Sequence, residues 1–159
     1  MVQAVVQKVG GGVALAPEKT IETRFWRFSL ADFSRHGGWM IPRLTTALDM
    51  HELHVAGWLR SLLESKEYLF LCQDHGVALA ELTYSGGIAN KAAVRERFVL
   101  AESEKYQREA SGFYDEFARW AKTLGADMLI VEEQTDVPHD LIKERLGRLF
   151  TRQQVFARL

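Results

Sequence analysis

The pair His51-x-x-His54 is an arrangement whose residue types and spacing could do chemistry. Residues three apart share a helical face, so two imidazoles there could begin a metal site. No acidic residue supplies a third ligand at a compelling spacing, and the pair reads as structural or solvent-facing. Cys72 is the single cysteine, which excludes an internal disulfide and a cysteine zinc cluster. It lies in a strand-like run without a partnering histidine motif, as a buried, inert thiol does. The stretch TDVPHDLIKERLGRLF carries more. Pro138 suits the first turn of a short helix and Gly147 ends it. His139, at the start of that helix, is open to a functional, a capping or a packing role.

The elements that must hold these residues fit one domain. A chain of 159 residues can build a sizeable core, and 47% hydrophobic with 26% charged residues is an ordinary globular balance. A net charge of −1 gives no basic surface for nucleic acid and no acidic excess to recruit a charged partner. No apolar run approaches the roughly 20 residues of a membrane span. The opening MVQAVVQKVGGGVALAP is a poor signal peptide, and with the lone cysteine it leads to the expectation of a cytoplasmic protein.

Residues 1–19 read as an arm or extra strand broken by Gly10-Gly11-Gly12, and residues 20–159 as the domain itself. TIETRFWRF alternates like a strand, and SRHGGWMIP reads as a glycine-containing connection. A helix is expected from Thr46 to about Ser65, with Thr46 and Asp49 as a capping box. EYLFLCQ and VALAELTY form a hairpin about Asp74-His75-Gly76, with Gly76 available for a positive φ. VRERFVLAE is the next strand, with Val94, Glu96, Phe98 and Leu100 on one side. Tyr106, Ala110, Phe113, Phe117, Trp120, Ala121 and Leu124 then make one stripe on a long helix stopped by Gly125. MLIVEE lacks polar alternation, as a central buried strand does, and RLFTRQQVFARL supplies one or two closing strands.

From residue 67 onward this order resembles the GNAT superfamily of N-acyltransferases. The likeness rests on the order of elements, on FARWAKTLGADMLIV as the family's third helix and fifth strand, and on one spacing. Members often carry an Asn after the fifth strand and a Leu-Gly eleven residues on; Asp136 and Leu146-Gly147 stand at those positions. Short GNAT-like proteins of tailed phages often have a His three residues after that Asn, where His139 stands. The resemblance implies an α/β (α+β) domain with a GNAT-like mixed, twisted sheet flanked by helices. Its strands ending near Ala101 and beginning near Met128 should be parallel neighbours that diverge.

The resemblance also implies acetyl-CoA as cofactor and a small-molecule or protein amine as acceptor, with direct transfer between them. It places the cofactor against Leu100 and Ala101 at a strand end, against Gln107, Arg108, Ala110, Ser111 and Gly112 at the start of the long helix, and at Asp136. The family's pyrophosphate motif falls on Lys105, Arg108 and Ala110, or two residues on at Gln107, Ala110 and Gly112. Its first glycine is missing in both registers. Glu102, or Glu96, stands where a general base is expected, and Lys143 where many members have the tyrosine that protonates the leaving thiolate. The altered loop suits a second reading: an inactive GNAT-like phage protein, serving as a virion component or a host-protein-binding module.

Overall fold

The computed structural model describes residues 24–84, 92–131 and 134–147, and the backbone of residues 150–151 and 156–158. The expected arm at residues 1–19 lies outside the described residues. Among the described residues, seven strands form one sheet in the order β1-β2-β3-β4-β5-β7-β6. They are β1 (Trp26–Arg27), β2 (Tyr68–Gln73), β3 (Gly76–Tyr84), β4 (Ala92–Ala101), β5 (Met128–Ile130), β6 (Phe150–Thr151) and β7 (Phe156–Arg158). Among the described strands the β4–β5 pair is parallel, with Val94 opposite Leu129 and Arg95 opposite Ile130, and the remaining pairs are antiparallel.

Alternation along the strands splits the core into two layers. Leu69, Leu71, Ala78 and Ala80 face a cluster with Phe113, Tyr114 and Phe117, while Phe70, Cys72, Val77 and Leu79 face one with Met40, Leu44, Val55 and Leu59. Helices α1 (Asp32–Leu48) and α2 (Glu52–Ser61) cover the second face. Helices α3 (Gln107–Ala110), α4 (Phe113–Thr123) and α5 (His139–Leu146) belong to the first.

Strand β4 does not keep the single alternation expected of it. Leu79 opposes Phe98 but Ala80 opposes Glu96, so Arg97 is an extra residue, a β-bulge. A one-residue insertion exchanges the faces of everything beyond it. Val94 and Glu96 therefore share the α4 face with Val99 and Ala101, whereas Phe98 and Leu100 turn toward α1 and α2.

The helices also depart from the expected boundaries. SRHGGWMIP is not a connection: it lies inside α1, despite Gly37, Gly38 and Pro42. Burial of His36, Met40, Ile41 and Leu44 against the sheet overrides the poor local propensity. The signal for its start was Ser29-x-x-Asp32: the Asp32 carboxylate accepts the Ser29 backbone N–H at 2.9 Å, as a capping-box acid does. The proposed box at Thr46 and Asp49 is instead the end of α1, where Asp49 adopts φ 52° and its N–H reaches Thr45 O. His51 then caps α2, its Nδ1 accepting Leu53 N–H at 3.1 Å. The long helix is likewise broken. A 3-10 turn (Glu104–Tyr106) leads into α3, and Ser111 and Gly112 separate α3 from α4.

Two glycines act differently from one another. Gly147 takes φ 63° at the end of α5, as expected of a helix-stopping glycine. Gly76 has no positive φ; a Cβ there would stand 3.1 Å from the Phe113 ring and 3.2 Å from Leu100 O. Its role is close packing behind a two-residue turn, not backbone handedness.

Candidate functional site

The meander β2-β3-β4 brings the Asp74-His75 turn to the C-terminal end of β4, because Gly76 pairs with Ala101 and Glu102 N–H donates to His75 O at 2.8 Å. There the His75 Nδ1 lies 2.9 Å from Glu102 Oε1. Both side chains are about four-tenths exposed, so the pair is open to a ligand in solution. A carboxylate only accepts, so Nδ1 carries the proton and Nε2 is left as the basic nitrogen. The His75 ring stacks on Tyr106 at 3.9 Å, with 11° between the planes, which fixes its orientation.

Beside this pair, α1 reaches the strand end through Arg43. Its guanidinium pairs with the Asp136 carboxylate and donates to Ala101 O at 2.6 Å and to Glu102 O at 3.1 Å. Asp136 Oδ2 also accepts Ala101 N–H at 2.9 Å. Val99 N–H donates to Gln134 O, and Asp136 N–H donates to Val99 O. The two strands pair in parallel at Val94/Leu129 and Arg95/Ile130, and an isolated parallel bridge joins Val99 to Thr135. Toward its C-terminal end, the β4 edge that faces β5 is hydrogen-bonded by the chain's own residues 134–136 and Arg43. The expected parallel pairing is present; the interval where the strands are expected to diverge includes residues 132–133, which lie outside the described residues.

A third group is buried in the α4 layer. Glu96 is fully buried, and its Oε1 accepts the Tyr114 hydroxyl at 2.8 Å; the Tyr114 and Thr135 oxygens are also 2.8 Å apart. Burial, then the nearby Glu96 charge, pushes the Tyr114 phenol well above its ordinary range. This group ties β4, α4 and the 134–136 segment together.

The remaining sequence-derived positions divide clearly. Glu102, Ala101, Leu100 and Asp136 converge on the strand end, with Leu100 and Ala101 buried. Gln107 is half-buried in α3 and Ala110 is fully buried. The Ser111 hydroxyl is buried and accepts Arg145 Nε at 3.0 Å. Arg108 is exposed and paired with Glu144 at 3.6 Å. Gly112 is pressed against Phe25, whose Cζ would be 2.6 Å from an added Cβ. Lys143 is exposed on α5 and has no hydrogen bond or ion pair among the described residues. His139 is exposed at the start of α5, and Cys72 is buried, its thiol pushed up by desolvation and the nearby Asp32.

His75 and Arg43 escaped the sequence reading. In the sequence His75 reads as a turn residue; equal hairpin arms and an antiparallel third strand are the signal that its turn meets the end of β4. Arg43 directly follows the stretch SRHGGWMIP that reads as a connection, and only the Ser29-x-x-Asp32 cap hints at a helix there.

No family model matches the sequence, and no curated protein matches it. Solved structures do. The aminoglycoside antibiotic 6'-N-acetyltransferase AAC(6')-IG from Acinetobacter haemolyticus superposes with a TM-score of 0.56 at 14% identity, over 78% of this chain and 89% of that one. A transcriptional regulator from Bacillus halodurans C-125 gives 0.58 at 12% identity, over 79% and 92%. An acetyltransferase from Vibrio fischeri gives 0.51 at 12%, over 72% and 98%. At such identities the likeness establishes the fold: a GNAT-like mixed sheet flanked by helices in a single domain. Activity does not follow from fold alone.

Proposed function

We propose that the chain is an N-acetyltransferase that takes its acyl group from acetyl-CoA and transfers it directly to an amine. The observation that carries this reading is the open His75–Glu102 pair at the C-terminal end of β4. An amine is nucleophilic only when unprotonated, and His75 Nε2 is placed to take its proton while Glu102 holds Nδ1–H and steadies the resulting imidazolium. In this reading Glu102, expected as the general base, is the orienting group instead, and His75 is the base.

Lys105 and Arg108 lie near the start of the helical run, beside Glu104 and Glu109, and would be the cations to meet the diphosphate of acetyl-CoA there. When bound, it would supply a thioester activated toward the amine. Leu100, Ala101 and Asp136 would adjoin it at the strand end, and Asp136 would have to release Ala101 N–H if the β4 edge is to take the ligand. Exposed Lys143 is available to donate a proton to the departing thiolate.

That occupied edge also favours a second reading, a binding module that retains the fold and no longer takes the cofactor. Its most specific form, a virion component or host-protein binder of a phage, would use the same scaffold without turnover. Calorimetry with acetyl-CoA, followed by acetylation of a broad amine panel, separates the two. The enzyme reading expects binding and a loss of turnover of about 10²–10⁴-fold in His75→Ala, the usual worth of a general base. No binding at millimolar acetyl-CoA and no acetylated amine would leave the module reading.

A further inference from the structure

His75 sits in a tight turn with about four-tenths of its side chain exposed, and one hydrogen bond at Nδ1 does not by itself hold an imidazole. Rotation about the Cβ–Cγ bond is soft, because terminal torsions of this kind have broad wells. A ring that turns also changes which nitrogen meets Glu102, and with it which nitrogen stays basic.

A second contact removes that freedom. Glu102 and Tyr106 belong to one short segment, folded back where Tyr106 N–H donates to Ser103 O at 3.0 Å. The segment holds the turn through Glu102 N–H to His75 O and holds Nδ1 through the Glu102 carboxylate. It then covers a face of the imidazole with the Tyr106 ring. With centroids 3.9 Å apart and planes 11° from parallel, the imidazole cannot swing out of its plane without striking the phenol. Tyr106 is itself fixed, half-buried and packed against the core cluster beneath α4.

The contact also suits the charge that the proposed transfer places on His75. An aromatic face attracts a cation, and an aliphatic side chain filling the same space does not. The other charged groups around this turn are Glu102, Asp74 paired with Arg35 of α1 at 3.4 Å, and Lys105, whose Nζ lies 5.0 Å from the centre of the Tyr106 ring. The buried His36 of α1 is near enough for His75 and Glu102 to act on its charge.

We propose that Tyr106 is a positioning residue for the acyl transfer: its ring fixes the plane of His75 with Nδ1–H on Glu102, so that Nε2 stays the base. The inference rests on the transfer reading, in which His75 is that base.

The test compares Tyr106→Leu and Tyr106→Met, which fill the space without an aromatic face, with Tyr106→Phe, which keeps the face, all in the full chain. With acetyl-CoA and an amine acetylated by the parent, the two aliphatic variants should lower kcat about 10- to 100-fold, the cost of a misplaced group, with KM changed less than about twofold. Tyr106→Phe should restore most of the rate. Because Tyr106 acts through His75, adding Tyr106→Leu to His75→Ala should lower kcat no further. A readout without substrate is the 15N spectrum of the histidine rings at alkaline pH. His75 should show a single Nδ1–H tautomer in the parent and in Tyr106→Phe, and averaged ring-nitrogen shifts in the aliphatic variants. That spectral pattern in a chain that acetylates no amine would sustain the positioning contact and refute the transfer reading. Acetyl transfer by the parent, with kcat and the single tautomer unchanged in the aliphatic variants or with equal losses in all three, would overturn the positioning role and leave the transfer reading standing.

Discussion

Replacing Asp136 with alanine tests the closure of the β4 edge directly. Its Oδ2 is the acceptor for Ala101 N–H at 2.9 Å, and Ala101 is 1% exposed. Without the carboxylate that N–H stays buried and unpaired, at a cost of about 1–3 kcal/mol. Arg43 also loses its ion partner, but both side chains are about a third exposed, so solvent screening limits that loss to under about 1 kcal/mol. The sum is a destabilisation of about 1–4 kcal/mol. For a chain of this size it corresponds to a fall in Tm of roughly 2–16 °C. Asp136→Asn keeps an acceptor oxygen and should cost less than about 1 kcal/mol. Urea unfolding followed by circular dichroism measures both, with an unchanged m-value as the check on the native state. A loss below about 0.5 kcal/mol in Asp136→Ala, or equal losses in the two variants, would mean that the carboxylate does not hold this edge.

Phe117 is fully buried between α4 and the sheet, so Phe117→Ala should cost about 3–5 kcal/mol in the same assay, and a loss under about 1 kcal/mol would contradict its placement. Gly112→Ala should destabilise by about 1–3 kcal/mol through the Phe25 ring, since its helical φ of −65° imposes no backbone strain; adding Phe25→Ala should make the glycine substitution nearly neutral, and additive costs would exclude the clash. Desolvation lowers the His36 pKa from 6.5, so the unfolded chain binds the proton first and stability contributed by the neutral ring is lost as pH falls below about 6.5. Wild type should therefore lose up to about 1.4 kcal/mol per pH unit more than His36→Phe between pH 6.5 and 5.5, and parallel pH profiles would refute burial of a neutral ring. Tyr114→Phe, which removes a hydroxyl donating to the buried Glu96, should cost about 1.5–3 kcal/mol and leave the 134–136 segment more open to hydrogen exchange; unchanged exchange would detach it from that group.

Much of this molecule was legible in its sequence. The β2–β3 hairpin, a strand at Met128, the amphipathic face of α4 and the short helix ended by Gly147 all follow from local periodicity and punctuation, which act over a few residues. At that strand Leu129 and Val131 are buried while Met128 and Ile130 stay partly exposed, so it is not covered on both faces as expected. Three residues named for the candidate site, Glu102, Ala101 and Asp136, also meet at one strand end. What the sequence could not decide depends on contacts made at long range. Three helix-weakening residues made α1 read as a connection, because its stability comes from the sheet it covers. The bulge at Arg97 has no local signature, yet it exchanges the faces of Phe98 and Val99. His75 and Glu102 are 27 positions apart and meet only because the antiparallel strands bring the turn back to the end of β4. Arg43 and Asp136, 93 positions apart, close the β4 edge for the same reason: strand pairing and helix packing, not local preference, determine which polar groups become neighbours.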